Sequence, residues 1–299
     1  MPEAIAHYTI LDRVGSGGLG ELYRARDTRL GRTVALRVLP ASLVDPPGRL
    51  DRLVRAARSA AALSHPNVAA LFEIGEDGTR HYLAFEYVDG ELLSARLRGR
   101  PLEVRSAVDF AIQLADALAE GEQRQLSHGD IRPETIVITS KDRPKLLHFG
   151  LAEFTSGGST RRASASPAPT EATDRDGALR DIRALGRVMY EMLTGRPPVA
   201  SQAAITATSP ATINTAVPSE VDHVVRRALS ADPNERYHTA ATIAAELRAV
   251  AAILDARSAV ASTAGARNGQ TPRHGRALIA LLLLPALATL VWWMLRVRG

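Results

Sequence analysis

The chain has 299 residues, of which 45% are hydrophobic and 23% are charged, so most of it can bury a core and only local disorder is expected. It contains no cysteine, which excludes disulfides, thiolate metal sites and cysteine nucleophiles. The formal net charge is +5, but acidic and basic residues are interleaved and form no basic stripe, so no nucleic-acid partner is expected.

The first 88 residues alternate short strand-like runs with one helical stretch. A helix is predicted at about 51–63, and strands at about 8–14, 21–25, 34–39, 68–74 and 81–88. After Gly90 the pattern becomes helical, because apolar residues recur at spacings of three and four at Val104, Val108, Ala111, Ala115 and Leu118. The sequence therefore predicts a small sheet with one helix, followed by a larger and mostly helical part.

Between the first two predicted strands, three glycines have the spacing G-x-G-x-x-G: Gly15, Gly17 and Gly20. Their backbone amides can fold closely over phosphates, because glycine has no side chain to prevent the approach. A dinucleotide-binding loop needs a helix after the glycines, and here a strand follows. Taken alone, the motif also fits an ordinary glycine-rich hairpin.

Further motifs follow at 34–39, 63–68, 85–90, 128–135 and 148–150. Their order and spacing resemble those of the protein kinase family, and 181–186, 190–198 and 232–237 resemble the helical lobe of bacterial serine/threonine kinases. The resemblance covers roughly residues 8–250. It implies an α+β, two-lobed fold over 8–255, with an N-lobe at about 8–88, a hinge near 86–88 and a C-lobe at about 89–255.

The resemblance also implies a cleft for ATP between the two lobes. The residues that it assigns to nucleotide binding are Val14, Gly15, Ser16, Gly17, Gly18, Gly20, Leu22, Ala35, Arg37, Glu86, Val88 and His148.

Two departures from the family pattern concern the groups that position the phosphates. The family's third-strand lysine falls at Arg37, which keeps the charge but replaces a compact ammonium with a longer planar group. The helix glutamate that pairs with this lysine falls at Ala56, counted back from His65. The activating ion pair is therefore expected to be absent.

The catalytic loop departs from the family pattern as well. The resemblance assigns Asp130 as the acceptor of the substrate hydroxyl's proton, with loop bracing as the alternative role. Gly129 replaces the arginine that receives an activation-loop phosphate, and Arg132 stands at the loop's lysine position. Thr135 replaces the asparagine that ligates one Mg²⁺, and His148 replaces the aspartate that is the main Mg²⁺ ligand. Since Mg²⁺ prefers hard oxygen ligands, no metal is expected there.

One hypothesis is that Arg37 and His148 supply positive charge to a polyphosphate in place of metal, so that ATP binds without Mg²⁺. The alternative is an empty or collapsed cleft.

The segment from Thr155 to Thr173 is short and rich in Ser, Thr and Ala. Within it, Ser164 follows two arginines and an alanine, which resembles a site for a basophilic kinase; a solvated low-complexity loop is the alternative. Glu171 ends a loose Ala-Pro-Glu motif, and the resemblance implies that it pairs with Arg236.

The C-terminal part predicts a membrane anchor. Residues 277–295 are uncharged and as a helix would span about 28 Å, with Trp292 and Trp293 near one end and arginines on both sides. A buried core helix is the alternative. Residues 256–276 are predicted to be a flexible linker, and 296–299 a short tail. Without a signal peptide, the kinase-like domain is expected in the cytoplasm, at the inner (plasma) membrane.

These departures favour a membrane-tethered pseudokinase that regulates or binds protein partners in a signalling pathway. The second interpretation is a weak or unorthodox serine/threonine kinase that transfers phosphate from ATP to protein serine or threonine, which Asp130 and the glycine motif favour. The third is a structural anchor that makes no use of the glycine motif.

Overall fold

The computed structural model describes residues 3–44, 48–155, 171–198, 209–232 and 234–269. Met1–Ala251 form one unit of tightly packed chain, and Ala252–Gly299 form a second.

The N-terminal part is a six-stranded antiparallel sheet in the order β1-β2-β3-β4-β6-β5. Helices α1 (Ala41–Val44) and α2 (Arg49–Ala61) lie between β4 and β5 along the chain. The predicted sheet and helix are confirmed, and α1 is an addition. The strands are β1 (Ala4–Ile5), β2 (Tyr8–Gly17), β3 (Gly20–Asp27), β4 (Thr33–Val38), β5 (Leu71–Asp77) and β6 (Arg80–Glu86).

Successive side chains along each strand point to opposite faces of the sheet, and both faces of this sheet are apolar. On β4, Val34 and Leu36 are fully buried in a cluster that includes Tyr8 and Tyr82. Ala35 packs instead against the cluster on the other face. That second cluster joins the sheet to α2 and to residues further along the chain; its buried members are Leu19, Leu39, Leu43, Leu53, Ala57, Leu71, Leu83, Phe85, Leu151 and Phe154. We call it the cleft cluster.

The C-terminal part is mostly helical, as the sequence predicts, and includes a small sheet in the order β7-β8-β9. Its strands are β7 (Gly90–Leu92), β8 (Ile136–Thr139) and β9 (Pro144–Leu146), and a single 3-10 turn covers Pro133–Thr135. Its helices are α3 (Leu93–Leu97), α4 (Val104–Gln123), α5 (Ala152–Thr155), α6 (Glu171–Thr194), α7 (Pro210–Ile213), α8 (Ser219–Leu229) and α9 (Ala240–Gly269).

Helix α4 confirms the predicted amphipathic face, since Val108, Ala111, Ala115 and Leu118 are all buried. Its N-terminus is capped by the Glu103 carboxylate, which accepts a hydrogen bond from the backbone of the first turn. Helices α6 and α8 pack closely together at Gly186 of α6. A Cβ at this position would collide with Ala228, so glycine permits the close approach. The buried residues of these helices form the core of the helical part.

Helix α9 extends to Gly269 and so covers most of the segment predicted to be a flexible linker. Residues 256–269 are helical because their alanines have the highest helix propensity, and their role as a linker to the predicted span stays a prediction. Among the described residues, no helix is both long and apolar enough to cross a membrane. The predicted span at 277–295 and the tail at 296–299 lie outside the described residues.

Candidate functional site

The glycine motif forms the turn between β2 and β3. Gly17 pairs with Gly20 in the strand register, so Gly18 and Leu19 make a two-residue turn. Gly20 has a φ of +92°, and a Cβ there would lie 1.9 Å from the carbonyl oxygen of Val38. Only glycine fits this position without strain.

The tip of this hairpin rests on the short helix α5. A Cβ on Gly18 would lie 1.9 Å from the carbonyl oxygen of Thr155, so the two backbones are in direct contact. Leu19 is only 1% exposed and packs into the cleft cluster together with Phe85 and Phe154. The hairpin is therefore closed over α5, and phosphates could enter beneath the glycines only after the two separate.

Arg37 lies on β4 beneath the hairpin. Its Nε donates to His148 Nε2 at 3.2 Å, and one terminal nitrogen donates to the Gly20 carbonyl at 3.3 Å. Burial lowers the pKa of Arg37 to about 10, which still leaves it protonated at neutral pH. No carboxylate among the described residues pairs with it, and Ala56 on α2 offers none. Arg37 is thus a partly buried cation whose described partners are both neutral.

His148 adopts a left-handed backbone conformation, with φ at +60°, and its ring meets the Phe85 ring edge-on at 5.4 Å. Burial, and secondarily the charge of Arg37, lowers the pKa of His148 to about 3. The imidazole is therefore neutral and accepts the Arg37 hydrogen bond. In this closed arrangement a second cation beside Arg37 is unfavourable, so the hypothesis that His148 supplies positive charge to a bound polyphosphate stays a prediction.

Asp130 is held by two side chains. Its carboxylate accepts from Arg132 Nε at 3.0 Å and from the Thr155 hydroxyl at 3.1 Å. The Asp130 backbone N–H donates to His128 Nδ1, while His128 Nε2 lies 2.9 Å from the Leu147 carbonyl. Helix α5 thus places a hydroxyl against the carboxylate that the resemblance assigns to a substrate hydroxyl.

Gly129 lets α5 approach the catalytic loop. Its φ is +80°, and a Cβ there would lie 2.7 Å from the Cβ of Ala152 on α5. The arginine that the family has at this position would occupy the same space. The Asp181 carboxylate fixes the backbone here by accepting from the N–H groups of His128 and Gly129, at 2.5 and 2.8 Å. Burial raises the pKa of Asp181 to about 7.

The residues at the family's metal-ligand positions do not fit Mg²⁺. The Thr135 hydroxyl is buried, lies 2.8 Å from the Asp130 carbonyl and accepts from the Arg132 N–H, so it is used within its own loop. His148 Nε2 is occupied by Arg37. The part of the chain that the structure describes contains no group of three or more histidine or acidic side chains able to hold a metal ion.

The other predicted nucleotide-binding residues lie along the sheet face that borders the hairpin. Leu22 pairs with Gly15 and Arg37 in the strand registers, and Ala35 pairs with Phe85. Val14 and Ser16 are exposed on β2. Glu86 ends β6, and Val88 follows two residues later. The structure thus places these residues on β2, β3, β4 and β6 and in the segment that follows β6.

Two features of this site were not predicted from the sequence. Lys145 on β9 pairs with the Glu86 carboxylate at 2.7 Å and so ties the C-terminal part to the hinge. Thr155 lies at the start of a stretch whose composition indicates only a loop, so no local signal predicts its contact with Asp130. A positive residue one position before a buried strand end is an equally weak signal for the Lys145 pair.

The predicted phosphorylation site, Ser164, lies outside the described residues. Glu171 begins α6, but its side chain is also outside the described part, so the predicted pairing with Arg236 stays a prediction. Arg236 Nε itself is buried and has no hydrogen-bond partner among the residues that the structure describes.

A small sheet lobe with a glycine hairpin, joined at a hinge to a helical lobe with a catalytic loop, defines the protein kinase class of fold. The sequence model of the protein kinase domain family matches residues 8–247. The chain belongs to this family.

Similar proteins support the assignment. The chain is 31% identical over 261 residues to the serine/threonine-protein kinase PrkC of Bacillus subtilis, covering 81% of this chain and 40% of that protein. It is 33% identical over 264 residues to the serine/threonine-protein kinase PknB of Mycolicibacterium smegmatis, covering 80% and 42%. The crystal structure of the Mycobacterium tuberculosis PknI kinase domain aligns with a TM-score of 0.64 and 25% identity, covering 82% of this chain and 96% of that one. The chain thus spans less than half the length of these two curated relatives.

Proposed function

We propose that this kinase-family chain acts in signalling as a pseudokinase, a regulatory module that binds protein partners. One observation carries the proposal: the side chains at both metal-ligand positions are committed to other contacts. His148 accepts from Arg37, and the Thr135 hydroxyl is bonded within the catalytic loop. Phosphoryl transfer in this family depends on metal ions that bridge the phosphates, so a site without metal ligands lacks its main source of charge stabilisation.

A second candidate is a weakly active serine/threonine kinase, and the comparisons favour it over the first. The relatives reported above are both named serine/threonine-protein kinases. Asp130 is retained, and in that role its carboxylate would accept the proton of a serine or threonine hydroxyl while ATP supplies the phosphoryl group. This role requires that Thr155 leave Asp130 and that the glycine hairpin lift from α5.

Thermal unfolding of the full chain with ATP, with and without Mg²⁺ or EDTA, separates the two candidates, since a ligand that binds the folded state raises the melting temperature. A pseudokinase in which Arg37 supplies charge to the phosphates gives either no shift or a shift that persists in EDTA. A shift that requires Mg²⁺, together with radiolabel transfer from ATP to protein that Asp130→Asn abolishes, contradicts the pseudokinase proposal.

The combined variant Arg37→Lys, Ala56→Glu, Thr135→Asn and His148→Asp provides the matched gain-of-function test. It restores the four family residues in one chain, so we expect Mg²⁺-dependent transfer at least about 100-fold above that of the wild type, since positioning and charge stabilisation supply most of the rate. Wild-type activity equal to that of the variant would show that these four positions do not limit the reaction.

The membrane placement is part of the same proposal. We propose that residues 277–295 anchor the chain in the inner (plasma) membrane, with the kinase-like domain in the cytoplasm near its protein partners. The uncharged nineteen-residue run and its flanking arginines and tryptophans support this placement.

A further inference from the structure

A groove lies between helix α2 and β5, the edge strand of the six-stranded sheet. Its volume of about 590 Å³ is within the range of ligand-binding clefts. Strand β5 pairs with β6 on one side only, so the backbone along its other edge has no strand partner among the described residues. The groove contains no residue of the glycine hairpin or of the catalytic loop.

Apolar side chains line both walls of this groove. Leu50 and Val54 of α2 and Ile74 of β5 are half-buried, and Phe72 of β5 is 37% exposed. Apolar surface that two neighbouring elements leave partly in water is typical of a site where another chain docks. Leu50 and Ile74 also pack against the cleft cluster, which includes Leu19 of the hairpin turn. A segment bound in the groove would thus contact residues that support the closed hairpin.

The charged residues that line the groove are mostly acidic. Asp51, Glu73 and Glu76 face a single arginine, Arg58, which gives a net charge of −2 when histidine is counted as neutral. Asp51 is exposed and forms no ion pair within the described residues. Glu76 is 74% exposed, and its described ion-pair partner is His81 at 3.9 Å. The groove therefore favours a cationic ligand over an anionic one.

Basic groups next to the groove are themselves paired with acids. Arg32 stacks on the exposed aromatic ring of β5 at 3.6 Å, and its Nε lies 3.3 Å from the Asp27 carboxylate. His7 lies between Asp27 and Glu73, at 3.7 and 3.5 Å from their carboxylate oxygens. The other two carboxylates of the groove are therefore the ones left to attract an incoming cation.

We propose that this groove docks an extended segment of a partner protein in which apolar and basic side chains alternate. An extended segment can add to the free edge of β5 through backbone hydrogen bonds, and its alternation separates the apolar side chains from the basic ones. The apolar side chains would pack on Val54 and Phe72, and the basic ones would meet Asp51 and Glu76. The inference rests on the proposed role as a partner-binding module, and it names the surface and the chemistry of the partner.

The test uses the full chain in nanodiscs of neutral lipid, with empty nanodiscs as the blank, and a fluorescent synthetic peptide of about ten residues that alternates leucine with arginine. Fluorescence anisotropy is expected to show saturable binding, weakened at least about tenfold when glutamate replaces every arginine of the peptide or serine replaces every leucine. Asp51→Asn combined with Glu76→Gln is expected to weaken binding of the leucine–arginine peptide by a similar factor. The matched control is Asp142→Asn, which removes an exposed carboxylate outside the groove and should bind the peptide like the wild type.

The absence of saturable binding to the wild type would overturn the proposal, and this measurement needs no variant to fold. Equal binding of the arginine and glutamate peptides, or unchanged binding to the double variant, would overturn it as well. Sedimentation gives one more contrary outcome: a chain that dimerises, and whose dimer the double variant dissociates, uses the groove for a second copy of itself. None of these measurements changes Arg37 or Asp130, so a negative result leaves the ATP-dependent unfolding experiment intact and the two proposals can fail separately.

Discussion

Arg37 and His148 form a partly buried hydrogen-bonded pair in which only the arginine is charged. The imidazole must present a lone pair at Nε2 to accept from Arg37, so protonation would break the bond and place two cations side by side. The same reasoning applies to His128, whose Nδ1 accepts the Asp130 N–H and whose pKa burial lowers to about 4. Both rings therefore hold the cleft together only while they are neutral.

The pH dependence of stability follows from this charge state. The pKa of His148 falls from its ordinary value of 6.5 to about 3 on folding, so below pH 6.5 the unfolded chain takes up a proton that the folded chain does not. Stability is present above about pH 6.5 and is lost as pH falls towards 3, by up to about 1.4 kcal/mol per pH unit for each such histidine. Urea unfolding at pH 7.5, 6 and 5 measures this loss.

We expect His148→Gln to lose less stability than the wild type over the same pH range, because glutamine keeps an acceptor but does not titrate. The control is His223→Gln on α8, where the histidine is 68% exposed and its loss should not change the slope. Equal slopes in the wild type and His148→Gln would show that His148 is not buried as a neutral ring.

At the scale of elements, the glycine hairpin and α5 depend on each other. Leu19 from the turn and Phe154 from α5 are buried in the same cleft cluster, and the Gly18 backbone touches the Thr155 carbonyl. Four residues are too few to form a stable helix alone, so this packing is what stabilises α5. Opening the hairpin should therefore also loosen α5 and release Asp130 from Thr155.

Gly18→Ala tests this dependence. Its Cβ would lie 1.9 Å from the Thr155 carbonyl oxygen, so the hairpin must lift. We expect a loss of about 1–3 kcal/mol in the free energy of unfolding, in the range of other overpacked sites. Hydrogen exchange should rise in both β2–β3 and α5.

Gly15→Ala is the matched control, because a Cβ at Gly15 meets nothing within 4 Å. It should leave both stability and exchange close to those of the wild type. If the two variants behave alike, the hairpin does not rest on α5 in solution.

At the scale of the whole molecule, our proposal that residues 277–295 anchor the chain can be tested by fractionation. We expect the full chain to sediment with membranes and to resist carbonate extraction, whereas a chain ending at Gly269 should be released. The variant Leu283→Arg with Leu287→Arg keeps the length but places two charges in the span, each costing about 2.5–3.5 kcal/mol at the centre of a membrane helix. Recovery of this variant in the membrane fraction at the wild-type level would contradict the anchor.

Much of the architecture follows from periodicity in the sequence. The strands of the N-lobe and the apolar face of α4 were predicted because long, regular patterns override local detail. The closed state of the cleft was not predicted, because it depends on contacts between residues that are distant in the sequence. These contacts join Gly18 to Thr155 and Arg37 to His148. The charge of His148 could not be predicted either, since it is determined by burial. Residues 256–269 are helical although their apolar residues follow no helical period, because their alanine content favours a helix.

The closed hairpin also determines how tightly any cleft ligand can be held. If the open form is about one molecule in a hundred, the apparent dissociation constant is about 100-fold weaker than that of the open form itself. A partner protein that holds the hairpin away from α5 would remove this loss of about 100-fold in affinity without contacting the ligand. Partner and ligand would then strengthen each other's binding by the same ratio, as thermodynamic reciprocity requires. A weak affinity in the isolated chain would thus reflect the small population of the open form rather than weak contacts between the open cleft and its ligand.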